Sequence, residues 1–99
     1  MSKPGDYSIG SRVWPGLSKL IEESGEVGQV CGKVIGANGK KVHFDSSDLK
    51  ERLEGELGDL LAAIDFVMQH NDLSNEVIQA QRLKKLDRFN RWHANAQED

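Results

Sequence analysis

Between Leu49 and Met68 the apolar side chains recur at the spacing of one helical face: Leu49, Leu53, Leu57, Leu60, Ile64, Val67 and Met68. Glu56 projects into the middle of that set, and Asp59 projects between Ala63 and Phe66. Nothing else in the chain limits its fold as strongly. A helix with such a face has to be covered. An ionised carboxylate left among leucines without a partner is expensive to bury. The fold must therefore supply cover and a positive charge at the same place.

A second stretch repeats the pattern. On a helix from about Pro15 to Ile35, Leu17, Leu20, Val27, Cys31, Val34 and Ile35 share one broad face, with Val30 on its border. Glu23 falls inside that face, Glu26 lies just beyond its edge, and Glu22 points further toward solvent. Each helix thus offers an acid pair at i, i+3 spacing, and side chains three apart are neighbours that can grip one object. Four carboxylates on facing helices repel one another unless something cationic sits among them. Arg52 and His70 are the nearest bases on the second helix, and Lys33 lies on the solvent side of the first; these are too few to cancel four charges. A cluster of hard oxygen ligands suits Mg²⁺, with Mn²⁺ as a substitute. Solvated surface acids are the competing reading, weakest for Glu56.

The remaining organisation follows from punctuation. Residues 1–13 are polar, contain Pro4, Gly5 and Gly10, and read as a flexible N-terminal arm. Gly36 and Asn38-Gly39 stop the first helix. Val42 and Phe44 form a short strand or tack the loop down. Asp48, with Glu51 three residues on, has the form of an N-cap and its partner for a helix running to about Gln69. His70 to Asn75 is a break, and a third helix spans roughly Asn75 to Trp92. Residues 14–93 make one helical domain, and 94–99 form a polar tail. The expected class is all-α, with about three main helices.

Composition bears on assembly and setting. Hydrophobic residues make up 37% of the 99 and aromatics 6%. A chain so short and lean gains from burying surface against a second copy. The formal net charge of −3, with both signs interspersed, argues against a polymeric nucleic-acid partner. Cys31 is the sole cysteine, so no intrachain disulfide forms; on the apolar face it reads as core. There is no apolar run near the length of a membrane span and no signal-peptide core, so the expectation is a soluble cytoplasmic protein without a membrane partner. "GANGKK" lacks both the earlier glycine and the Ser or Thr of a phosphate loop. His43, His70 and His93 have no zinc-like spacing. Gly25, Gly28 and Gly32 are costly inside a helix and read as sites of close helix approach, or of contact with a phosphate.

"LSKLIEESGEVGQV" followed by "LEGELGDLLAAIDFV" resembles the E-E-x-x-E … E-x-x-D signature of MazG-like nucleoside triphosphate pyrophosphohydrolases, members of the all-α NTP pyrophosphatase superfamily. The likeness covers roughly Trp14 to Ile64, with a weaker echo in "KKLDRFNRW". The gap between Glu26 and Glu56 is at the long end for the pattern and implies an enlarged loop. The resemblance implies hydrolysis of a (d)NTP to its monophosphate and pyrophosphate, with a house-cleaning role in the nucleotide pool. It also implies that Glu23, Glu26, Glu56 and Asp59 are metal ligands, with Glu22 as a supporting acid or water-orienting base. The third helix is expected to offer Lys85 and Arg88 to the phosphates, with Lys84 and Arg82 as substitutes. Asn90, five positions past Lys85, departs from the family's lysine–asparagine spacing. Trp14 stacks on a base or anchors the arm, and Trp92 packs at an interface or helix end. A homodimer or homotetramer would complete the bundle. The alternative is a non-catalytic helical module of the same fold that binds a nucleotide or a protein.

Overall fold

The structure is a computed structural model that describes residues 5–40 and 48–97. Three helices follow one another: α1 (Leu17–Gly36), α2 (Leu49–His70) and α3 (Asn75–Ala96). There is no strand among the described residues, and no described helix is long and apolar enough to cross a membrane. Val42 and Phe44 lie outside the described residues.

The helix ends follow from local chemistry. Gly16 caps α1 in the left-handed region at φ 91°, so the helix starts at Leu17, two residues after the expected Pro15. At the other end Gly39 N–H donates to Val34 O (2.9 Å) and Asn38 N–H to Ile35 O (3.0 Å). This is a Schellman close, with Asn38 at φ 56° in the left-handed position. Asp48 caps α2, its carboxylate accepting from Glu51 N–H at 2.9 Å. Ser74 caps α3 in the same way, accepting from Val77 N–H at 3.1 Å.

Residues 5–16, read from sequence as mostly flexible arm, run through hydrogen-bonded turns. Tyr7 N–H donates to Val13 O (2.9 Å), and Ser18 N–H donates to Tyr7 O (2.9 Å), tying this bracket to the start of α1. Asn71 then joins the bracket to the end of α2, donating to Pro15 O (3.1 Å) and Val67 O (2.8 Å).

α1 packs along α2, and the buried apolar residues are Val30, Leu49, Ala63 and Val67. The contact is rotated from the face expected for α1. It centres on Val30, while Cys31, Ile21 and Ile35 are exposed. Cys31 is therefore not a core residue. On α2, Leu49, Glu56 and Ala63 recur at two-turn intervals; Leu49 and Ala63 are buried and Glu56 is half-buried. Gly25, Gly28 and Gly32 face no close neighbour: a Cβ there would meet nothing within 4 Å among the described residues.

α3 stands apart and buries none of its residues. The molecule is correspondingly open, measuring 56 × 38 × 15 Å with a radius of gyration of 17.3 Å. A compact chain of this length would have a radius of about 13 Å.

Candidate metal centre

The α1–α2 contact brings all four acids to one point. Glu23 sits two turns before Val30 on the same line of α1, and Glu56 two turns after Leu49 on α2, so both lie at the middle of the helix pair. Glu26 and Asp59, each three residues on, flank them. One carboxylate oxygen from each of Glu23, Glu26, Glu56 and Asp59 falls within 4.8 Å of the others. The first three are half-buried and Asp59 is exposed.

The electrostatics are unbalanced. Oε2 of Glu23 and Oε2 of Glu56 are out of reach of solvent and have no hydrogen-bond partner among the described residues. Desolvation pushes the Glu23 carboxyl above its usual range, and the charges of Glu26 and Asp59 add to the effect. The Glu56 carboxyl is likewise raised, first by desolvation and then by the neighbouring carboxylates of Glu26 and Asp59. Arg52 acts on Glu56 in the opposite direction but is the smallest influence. Among the described residues no ion pair neutralises any of the four acids.

These features fit a divalent cation. The donors are all hard oxygens, four in number, and two are buried without another use. Exposed acidic groups often cluster without an ion; here the buried, unpartnered oxygens are the distinguishing observation.

Beside the acids lies an open pocket of about 350 Å³ lined by Ile9, Lys19, Glu23, Asp59, Ala62, Ala63 and Phe66. One end is charged and the other apolar. The bracket delivers Ile9, and the tight seat of Gly16 against Phe66 sets the wall. A Cβ at Gly16 would come within 2.6 Å of the Phe66 ring. Lys19 reaches back to Glu22, Nζ to Oε2 at 3.1 Å, with both side chains about half exposed.

Other expected site residues lie elsewhere in the single chain. Trp14 is half exposed at φ 43° and lines a separate pocket with Arg12, His70 and Asn71. Lys85 and Arg88 are on α3, away from the α1–α2 contact. Lys85 Nζ lies 5.7 Å from the centre of the Phe89 ring, and Arg88 shares a surface recess with Arg91, Trp92 and Asn95. Sequence reasoning missed Lys19 and Ile9. Lys19 lies one turn before Glu23 on the same stripe and was open to detection; Ile9 carried no local signature. No protein-family model matches the chain, and neither a curated protein nor a solved structure does.

Proposed function

We propose that the chain is a Mg²⁺-dependent nucleoside triphosphate pyrophosphohydrolase, the activity implied by its resemblance to MazG-like enzymes. The observation that carries this reading is the carboxylate tetrad, with two buried and unpartnered oxygens, opening onto a pocket with one charged and one apolar end. Glu23, Glu26, Glu56 and Asp59 hold the cation, for which Mn²⁺ is a substitute. When bound, the cation offsets the charge of the acids and of a triphosphate drawn to them.

The chain's own residues do the rest. Glu22, exposed beside the tetrad, orients a water and accepts its proton as the water attacks the α-phosphorus. The α–β anhydride bond then breaks, leaving a (d)NMP and pyrophosphate. Holding nucleophile and leaving group in line is the larger part of such catalysis. Ile9 and Phe66 give the nucleoside an apolar wall. Lys85 and Arg88 reach phosphates only in a homodimer or homotetramer, where α3 of one subunit covers the site of another. A cytoplasmic setting and a nucleotide-pool role belong to the same reading.

The test is pyrophosphate release from a panel of NTPs and dNTPs, with and without Mg²⁺, beside Glu56→Gln. Metal-dependent release with a monophosphate as co-product, lost in the variant, is the expected result. The placement of α3 away from the tetrad favours a second reading, a nucleotide- or protein-binding module without turnover. Binding with no release from any nucleotide would select it.

A further inference from the structure

We propose that Lys19 is a phosphate-binding residue of the tetrad site, supplied in cis by α1. This rests on the nucleotide reading above and adds a cation that the family likeness did not assign. Among the described residues lining the pocket beside the tetrad, Lys19 is the only base, and it shares that lining with Glu23 and Asp59. It lies four residues before Glu23, and positions four apart on a helix are stacked on one face.

Charge balance calls for such a residue. The tetrad carries four negative charges when ionised, one divalent cation cancels two, and a triphosphate brings more. A ligand of this kind is held only if a further positive charge reaches its outer oxygens. Arg52 is on α2 and does not line this pocket. The α3 bases need a second subunit. Lys19 is already at the rim.

Its present partner does not prevent the move. The Lys19–Glu22 pair is about half exposed on both sides. Exposed pairs of this kind contribute little to stability, so exchanging Glu22 for a phosphate oxygen costs little. The four-carbon stem and three rotatable donors of lysine suit a point contact that forms on binding. Lys19 thus waits on Glu22 and turns to the phosphates when they arrive, leaving the Glu22 carboxylate free.

Titration calorimetry with inorganic tripolyphosphate at saturating Mg²⁺ tests this on the full chain. Lys19→Met is expected to weaken binding by about tenfold or more, the loss of one charge-assisted hydrogen bond. Lys19→Arg restores it to within a few-fold. Lys50→Met removes an equal charge from the exposed Lys50–Glu54 pair on α2 and leaves binding unchanged. Mn²⁺ binding, followed by electron paramagnetic resonance without phosphate, stays intact in Lys19→Met. Equal tripolyphosphate affinity in wild type and Lys19→Met overturns the proposal and leaves the nucleotide reading standing. Loss of Mn²⁺ binding in Lys19→Met also overturns it, because the lysine would then act through the acids. If the wild type binds no tripolyphosphate while Mn²⁺ still binds, this inference and the nucleotide reading fail together.

Discussion

Glu23 and Glu56 each keep one oxygen from solvent with no partner among the described residues, and both carboxyls titrate above the ordinary glutamate range, chiefly through desolvation. The consequence for stability has a definite sign. In the unfolded chain these groups release their protons near the ordinary value of about 4.3. In the metal-free folded chain they hold them to higher pH. Between the two values the folded state carries more protons, so its stability falls as pH rises through that window. Below the window both states are protonated and the benefit is complete. Thermal melts of chelator-treated protein should show Tm decreasing from about pH 4.3 upward, with a shallower slope in Glu56→Gln. An equal slope in the variant would place the burial cost on other residues. At neutral pH without metal, Glu56→Gln should melt above wild type, since one repelling charge is gone. Mg²⁺ should reverse the order: at a hundredfold excess over Kd a ligand stabilises its protein by about 2.7 kcal/mol, and the variant loses its ligand. Under the proposed function, turnover in Glu56→Gln should fall by about a hundredfold or more, as when a group stabilising transition-state charge is removed.

At the scale of elements, Gly16 is the joint on which the site's shape depends. It ends the bracket, caps α1 in a left-handed conformation and lies buried against Phe66. Gly16→Ala adds left-handed strain and overpacks the ring, at a combined cost of about 2–5 kcal/mol. Urea denaturation should register that loss, and under the proposed function the displaced Phe66 should weaken nucleotide binding along with it. A neutral substitution would mean that the bracket docks without this contact. The caps were readable beforehand: Asp48 with Glu51, and Asn38-Gly39, act through backbone groups within a few residues. The face of α1 was readable only in part. Apolar spacing marks a broad stripe, but α2 covers the edge holding Glu23 and Val30 and leaves Cys31 and Ile35 open.

For the whole molecule the open side is α3. Val77, Leu83, Leu86, Phe89 and Trp92 are all exposed, with the Phe89 and Trp92 rings 5.7 Å apart. Ile21, Leu57 and Leu61 add exposed apolar surface on the other two helices. Under the proposed function, a second subunit covers this surface and brings Lys85 and Arg88 toward a tetrad. Sedimentation equilibrium should then give the mass of a dimer or tetramer. Leu86→Asp, costing little in a monomer where Leu86 is half exposed, should raise the subunit dissociation constant at least tenfold, about 1.4 kcal/mol. A monomeric wild type at micromolar concentration would instead support the binding-module reading.

Three helices, their order, most of their ends and the two acid pairs came from sequence alone, because periodicity and capping act over a few residues. The tetrad could be anticipated for the same reason, since i, i+3 carboxylates share a face wherever their helix lies. Which edge of α1 meets α2 was a tertiary matter: the rotation of one helix against another depends on which residues the pair buries together, here Val30, Leu49, Ala63 and Val67. So was the company the acids keep. Ile9 reaches the pocket through a bracket that one long-range hydrogen bond, from Asn71 to Pro15 O, joins to the end of α2, and Lys19 shares that pocket with Asp59 and Phe66 from the facing helix. Such contacts join residues some forty to sixty positions apart, and no local pattern encodes them.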